Sequence, residues 1–308
     1  MKLVFCGTPQ FAVGTLEAVI AAGHEVLLAI TQPDRASGRG MEMHAGAVKT
    51  AAVAHEIEVL QPEKIKHNHE LRERLEAIQP DAILVVAYGR IIPQWMLDLP
   101  RHGCINLHGS LLPKYRGAAP IQWAVANGET HTGVTTMRLD AGLDTGPMLL
   151  AQVEPIAPQE TAEDLFESLA EIGSALMVRT LAGLEDGSIT PVAQNDAAAT
   201  LAPILTREDG RMDLTRTAAE LVNRWRGFQP WPGAFTSLRG RKLIVHQMCV
   251  AEGEGACGEI VVDGSRLLVG CTGSRLELKE VQMEGKKRMA AEEFLRGFQV
   301  KSGERVGA

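Results

Sequence analysis

The sequence predicts an α/β domain built on a mostly parallel sheet, followed by a small β-barrel. Three observations lead there. Over the first 190 residues, apolar runs alternate with amphipathic segments, the pattern of strands joined by helices. Runs such as Ile83-Leu-Val-Val86 are apolar without alternation, which suits strands covered by helices on both faces. Beyond residue 208, short alternating runs are punctuated by glycine, as in a small antiparallel barrel.

In chain order, strands are expected near 2–6, 25–31, 57–60, 82–88, 103–108 and 132–139. Helices near 9–22, 44–55, 67–78, 118–126 and 161–185 lie between or after them. Thr161-Ala-Glu-Asp164 reads as a capping box opening the last of these helices, and Gly187 lies just past its end. Gly7-Thr8-Pro9 lacks the G-x-G-x-x-G spacing of a dinucleotide loop, and Thr8 as N-cap with Pro9 at the first helical position explains it. Residues 191–207 are rich in Ala, Asn, Asp, Pro and Thr and read as a linker between a domain over 1–190 and another over 208–308. The second carries a helix near 217–227, strands near 242–250, 258–262, 267–271 and 275–282, and a helix near 290–297.

At 45% hydrophobic and 22% charged, the 308 residues exclude a disordered or fibrous chain. The longest apolar runs, such as Ala82 to Tyr88, fall far short of the roughly 20 residues a membrane-spanning helix needs, so no membrane partner is expected. A strand-like run begins at Lys2, which leaves no room for a leader and makes a cytoplasmic protein starting at Met1 the expectation. Cys6, Cys104, Cys249, Cys257 and Cys271 form an odd set without a C-x-x-C pair, so neither a disulfide framework nor a metal is expected. The net charge of −7 is uneven: residues 1–204 hold 14 Lys+Arg against 24 Asp+Glu (−10), and residues 205–308 hold 17 against 14 (+3). A basic module after an acidic one hints at a polyanionic partner.

Cys104-Ile-Asn106-Leu-His108-Gly-Ser-Leu-Leu-Pro113 begins as a strand and ends as a turn. Asn106 and His108 therefore share a face at the strand's carboxyl end, where open α/β sheets bind ligands. Alone, Asn-x-His reads first as a hydrogen-bonded structural pair. The loop Leu139-Asp140-Ala-Gly-Leu-Asp144-Thr-Gly-Pro147 alters that balance, because its glycines and acid can bring Asp144 beside His108. An Asn/His/Asp cluster in a cleft suits acyl transfer between nitrogens. Asn106 and His108 would donate to the oxyanion that forms when an amine attacks the acyl carbon, and Asp144 would hold the histidine and help move protons. No serine or cysteine nucleophile stands in a G-x-S-x-G setting.

Two stretches, Ile105-Asn-Leu-His-Gly-Ser-Leu-Leu-Pro-Lys-Tyr-Arg-Gly-Ala-Ala-Pro-Ile121 and Leu139-Asp-Ala-Gly-Leu-Asp-Thr-Gly-Pro-Met148, resemble the formyltransferases that use 10-formyltetrahydrofolate. The resemblance extends over nearly the whole chain to the members acting on methionyl-tRNA, through Phe5-Cys-Gly-Thr-Pro9, Thr31-Gln-Pro-Asp-Arg-Ala-Ser-Gly-Arg-Gly40, Val85-Val-Ala-Tyr-Gly89 and Phe228-Gln-Pro-Trp-Pro232. It implies a Rossmann-like catalytic domain, a tRNA-binding C-terminal barrel related to the OB fold, and Asn106, His108 and Asp144 as the catalytic set. The implied co-substrate, 10-formyltetrahydrofolate, would be held by Val86, Ala87, Tyr88, Gly89, Ile91, Ile92, Ser110, Leu111, Leu112, Pro113, Leu139, Asp140 and Gly142. The implied reaction carries the formyl group to the amino group of methionine on initiator tRNA, for translation initiation, in a monomeric enzyme.

The loop from Gln32 to Lys49 resembles the insertion with which this family holds the tRNA acceptor end. Arg39 occupies the matching arginine position, with Arg35 and Lys49 nearby, and Lys286, Lys287 and Arg288 are the barrel's phosphate candidates. Family members follow Gly-Arg-Gly with lysines and a Pro-Ser-Pro run, whereas this chain has Met41-Glu42-Met43-His44-Ala45-Gly46. Two positive charges are lost and one negative gained, which bears on phosphate contacts and not on the chemistry. The same trio would serve an amino-sugar nucleotide or a glycinamide-type amine as acceptor. A non-catalytic RNA-binding protein is the reading from another class, and the intact trio speaks against it. Among plainer assignments, His67 and His69 beside Asn68 form a polar helix cap rather than a metal pair. Trp225, Phe228 and Trp231 pack a Pro-rich turn against the barrel, and Met41 and Met43 pack their loop.

Overall fold

The computed structural model describes residues 1–37 and 42–307, with the backbone alone at 35–37, 42 and 43. The chain forms two compact units. One takes Met1–Pro120, His131–Pro155 and Leu165–Pro203, and the other takes Ile121–Thr130, Ile156–Asp164 and Ile204–Ala308.

The first unit's elements, with two helices that run across its boundaries, are β1 (Lys2–Gly7), α1 (Gln10–Ala21), β2 (Glu25–Ile30), β3 (Arg35–Ser37), β4 (Glu42–His44), α2 (Ala47–Ala54), β5 (Val59–Leu60), α3 (His69–Ile78), β6 (Ala82–Val86), α4 (Gln94–Leu97), β7 (Cys104–His108), α5 (Pro120–Ala126), β8 (His131–Arg138), β9 (Met148–Pro155) and α6 (Ala162–Glu185). Seven strands make one Rossmann-like sheet in the order β5-β2-β1-β6-β7-β8-β9. The first five of these run parallel; β8 and β9 run antiparallel. All five residues of β6 and the stretch Leu3 to Cys6 of β1 are buried, as strands covered on both faces require. Strand order reverses between β1 and β6, so the crevice of the fold opens at their carboxyl ends, Gly7 and Val86, beside the end of β7.

Helix α6 begins as its sequence indicates. The Thr161 N–H and hydroxyl donate to Asp164 Oδ2 at 2.9 and 2.7 Å, and the Asp164 N–H returns a bond to Thr161 Oγ1. Helix α1 differs from expectation: Pro9 is its N-cap, without a capping side chain. Thr8 instead accepts the Gln32 N–H at 3.1 Å, tying the end of β1 to the chain leaving β2. The helix expected from residue 44 starts at Ala47, because Arg35–Ser37 and Glu42–His44 pair as an antiparallel ribbon inside the insertion. Strand β9 was not expected. It is an edge strand with most of its side chains at least partly in solvent, so it lacks the apolar periodicity that marks a buried strand.

The stretch with linker-like composition is also structured. Val192 exchanges both backbone hydrogen bonds with Met148 at 2.8 Å, and Arg116 pairs with Thr200 and Ala202. Residues through Pro203 thus belong to the first unit.

The second unit contains α7 (Ala218–Gly227), β10 (Ala234–Leu238), β11 (Arg241–Ala251), β12 (Ile260–Asp263), β13 (Arg266–Cys271), β14 (Ser274–Met283), β15 (Met289–Ala290) and α8 (Ala291–Phe298). Its strands form an antiparallel sheet in the order β10-β11-β14-β13-β12, with β15 beside β14. Residues near the C-terminus bond both sheet edges: Val306 bridges Leu238 of β10, and Ile260 of β12 donates to the Glu304 carbonyl. Phe294 of α8 and Leu276, Leu278 and Val281 of β14 fill its core. All five cysteines are free thiols, three of them buried. No helix among the described residues is long and apolar enough to cross a membrane.

The packing of β6 is open to test. Leu84→Ala would empty a fully buried site at the sheet centre. Its unfolding free energy should fall by about 2–5 kcal/mol in urea titration, and a loss well under 1 kcal/mol would contradict the packing described.

Candidate active site

Strand β7 places Asn106 opposite Met137 and His108 opposite Thr135 of β8, with Asn106 beside Val85 of β6. Leu107, between them, points the other way and presses on α6 at Gly173. Asn106 and His108 therefore share the face away from α6, at the open end of the sheet.

His108 is buried, and its Nε2 lies 2.9 Å from the Tyr115 carbonyl. That carbonyl can only accept, so Nε2 carries the proton and the neutral ring leaves Nδ1 bare. Nδ1 lies 3.7 Å from Asp144 Oδ2, which in turn accepts the Gly117 N–H at 2.9 Å. Burial drives the imidazole pKa below its ordinary value, and the Asp144 charge and the bond to Tyr115 only partly restore it. Near neutral pH, His108 is thus an uncharged base facing a carboxylate. This revises its expected role as oxyanion donor, since neither nitrogen of the neutral ring has a hydrogen to spare. Asn106 lies on the same face, two residues before His108. Its amide has no hydrogen bond among the described residues, so Asn106 and His108 are not the bonded structural pair that Asn-x-His alone suggests.

Two left-handed residues hold this geometry, Tyr115 at φ 61° and Asp144 at φ 53°. Asp140 shapes the loop that carries Asp144, accepting the Gly142 N–H at 3.0 Å and the Thr145 hydroxyl at 2.7 Å. A Cβ at Gly142 would lie 2.0 Å from Thr145 Oγ1, and one at Gly146 would lie 1.9 Å from the Arg138 carbonyl, so both glycines are steric requirements.

The residues expected to hold folate separate by burial. Val86, Tyr88 and Ile92 belong to the core, while Ala87, Gly89 and Ile91 are exposed, Ile91 at 90%. The Tyr88 hydroxyl is buried with no partner among the described residues, and burial pushes its pKa up. Ser110 is scaffold: its hydroxyl donates to the Lys114 carbonyl and its carbonyl accepts from Thr135 Oγ1, both at 2.7 Å. Thr135 Oγ1 also receives the Leu112 N–H at 3.2 Å. Leu111, Pro113 and Leu139 are half-buried, and Asp140 and Gly142 are exposed. Leu143, which sequence reasoning passed over, is 62% exposed beside Asp144. Exposed apolar side chains and turn backbone suit a flat heteroaromatic ring, with specificity from backbone groups.

Among the polyanion candidates, Arg39 and Met41 lie outside the described residues, and Arg35 and Met43 are described by backbone alone. Lys49 is committed internally, to Asp34 at 2.5 Å and Gln61 at 2.8 Å. Lys286 and Lys287 are exposed, while Arg288 pairs with Glu280. Phe228 is buried edge-on against Trp123 at 5.3 Å, and Trp225 packs on the second unit's core. Trp231, expected to pack the turn, is 56% exposed. Asn68 caps α3 through Leu71, with His67 and His69 exposed, and no metal-binding group of His, Cys, Asp or Glu occurs among the described residues. Sequence reasoning also missed the Tyr115 carbonyl and the Gly117 N–H, for which the signal was the Tyr-Arg-Gly turn after Pro113.

Residues 1–181 match the family described as Formyl transferase, and residues 204–299 match Formyl transferase, C-terminal domain. The methionyl-tRNA formyltransferase of Acidobacterium capsulatum is 63% identical over 311 residues, covering all of both chains. That of Koribacter versatilis is 58% identical over 308 residues, covering all of this chain and 99% of the relative. Among solved structures, the N-formyltransferase of Helicobacter canadensis in complex with folinic acid and dTDP-3-aminofucose superposes with a TM-score of 0.66, over 92% of this chain and 99% of that one. At 19% identity it bears on the fold alone. Two family matches in chain order, full-length relatives and the shared fold lead to one conclusion: the chain belongs to the formyltransferase family.

Proposed function

We propose that the chain transfers the formyl group of 10-formyltetrahydrofolate to the amino group of methionine on initiator methionyl-tRNA. The observation that carries this reading is full-length identity of 63% and 58% to methionyl-tRNA formyltransferases, in a chain whose His108 faces Asp144 at 3.7 Å. The folate supplies an activated formyl group on nitrogen. Asn106 Nδ2 donates to the formyl oxygen as charge develops there. His108 Nδ1 takes the proton of the attacking amine as its nitrogen bonds the formyl carbon, and Asp144, 3.7 Å away, stabilises the imidazolium so formed. The imidazolium then returns that proton to the folate nitrogen as the carbon–nitrogen bond to the folate breaks and tetrahydrofolate leaves. The turn over Ala87, Gly89 and Ile91 and the loop over Leu139, Asp140, Gly142 and Leu143 hold the ring end of the folate.

The second unit acts as an OB-like barrel for tRNA, with Lys286 and Lys287 on phosphates, and Arg39 and Arg35 of the insertion meet the acceptor end. Arg288, held by Glu280, contributes little free charge. One chain carries every group the reaction uses, so a monomer in the cytoplasm, where tRNA is charged, suffices. Rates with Met-tRNA, free methionine and an amino-sugar nucleotide test the reading, and preference for the sugar amine would overturn it.

Three further outcomes are expected. Asn106→Ala should lower kcat by on the order of 10²–10³, the loss of one oxyanion donor, and Asp144→Asn should lower kcat strongly with folate binding nearly intact. Near-normal turnover in Asp144→Asn would remove that carboxylate from the mechanism.

The second outcome follows from the sign of the His108 shift. The ring must be neutral to accept a proton, and its pKa lies below the ordinary 6.5, so the acid limb of kcat/KM should fall below pH 6.5. Asp144→Asn removes a charge that raises this pKa and should move the limb further down. A limb above pH 7 in the parent would contradict a buried neutral histidine.

The third concerns tRNA affinity, which should fall steeply with salt. Lys286→Ala and Lys287→Ala should each flatten the log–log slope by about one unit. Unchanged slopes would take these lysines off the phosphate path.

A further inference from the structure

Gln194 lies in the stretch whose composition reads as a linker, yet both ends of its side-chain amide are engaged at the site. Nε2 donates to the carbonyls of Asp144 at 2.8 Å and Gly146 at 2.7 Å. Oε1 accepts from Arg116 Nε at 3.0 Å. Arg116 is buried, binds Asp196 at 2.7 Å through Nη2, and is fixed by backbone bonds to Thr200 and Ala202. Its neighbours are the two groups that orient the catalytic pair: the Tyr115 carbonyl holds His108 Nε2, and the Gly117 N–H holds Asp144 Oδ2. One amide thus joins the Asp144 loop to the turn that orients both side chains.

The residue type fits the geometry. Two carbonyls need two N–H donors and a guanidinium needs an acceptor, and a neutral amide supplies all three from one planar group. The two carbonyls flank Thr145, and the first belongs to Asp144, whose φ of 53° is unfavourable for a residue with a side chain. A left-handed residue persists where its surroundings over-determine it.

The geometry points to Gln194 as a positioning residue that sets the Asp144 carboxylate against His108 Nδ1 by holding the Asp144 backbone in its left-handed turn. This rests on the transfer reading above, in which His108 and Asp144 handle the amine's proton. Without the clamp the loop can relax, and the carboxylate drifts from a separation of 3.7 Å that its own side chain does not set.

The test compares the parent, Gln194→Met, Gln194→Glu and Asp144→Asn in rates with 10-formyltetrahydrofolate and Met-tRNA across pH, alongside thermal unfolding. Gln194→Met keeps the length and removes the hydrogen bonds. Its kcat should fall on the order of 10–100-fold, the scale of a small misplacement at a reacting centre, with both KM values within about twofold. Its acid limb should move down towards that of Asp144→Asn, because a more distant carboxylate raises the imidazole pKa less. Gln194→Glu keeps the acceptor for Arg116 but sets a carboxylate against two carbonyls, and should be as impaired as Gln194→Met.

Parent-like turnover in Gln194→Met would overturn the proposal, as would a lower kcat with the acid limb unmoved, or loss of the folded state. An active Gln194→Glu would also sink it, by showing that the Arg116 contact alone matters. Normal turnover in Asp144→Asn would instead strike the reading of Asp144, and so separates the two failures.

Discussion

A carboxylate can tune a buried imidazole only if something else fixes both, because at 3.7 Å the two do not hold one another in place. Here the fixing groups are backbone atoms of a single turn. The Tyr115 carbonyl takes the histidine's Nε2–H and the Gly117 N–H binds the Asp144 carboxylate. Reaching both from one turn bends the chain into the left-handed region at Tyr115, and the opposing loop bends likewise at Asp144. Strain of this kind costs about 1–3 kcal/mol per residue and is offset only by bonds elsewhere. The bonds from 194–202 to Arg116, Asp144 and Gly146 supply that offset.

From this constraint the electrostatics follow. Taking His108 out of water favours its uncharged form, and the bond to Tyr115 selects the tautomer with Nδ1 bare. Asp144, less buried than His108, restores part of the lost basicity without forcing protonation. Asn106 completes the set by having no protein partner among the described residues. A buried amide left without a protein partner weakens the fold slightly. The scaffold around it is closed, with Ser110, Leu112 and Thr135 satisfying one another.

Charge in the second unit is organised differently. Residues 205–308 carry a positive balance, but Arg239, Arg266 and Arg288 within them each pair with a glutamate. Such surface pairs add little stability, and they withdraw arginines from any polyanion nearby. Exposed lysines at 286 and 287 remain available, so the residue count overstates the field a phosphate would meet.

The sequence by itself determined the parallel sheet, because runs such as Ile83 to Val86 are apolar on both faces, and it determined the face shared by Asn106 and His108, because strand periodicity is two. The motif around Asp144 marked the acid that faces His108, through loop glycines that steric contact requires at positions 142 and 146. Only the tertiary structure decided the rest. Edge strand β9 carries too little apolar pattern to be seen, and the Thr8 side chain serves Gln32 rather than a helix end. Which nitrogen of His108 is bare depends on a carbonyl seven residues away, and no local pattern announces a backbone acceptor. Gln194 is the clearest case. Its surroundings have the composition of a linker, and its role comes from contacts across 50 and 78 residues of chain, a separation that only folding closes.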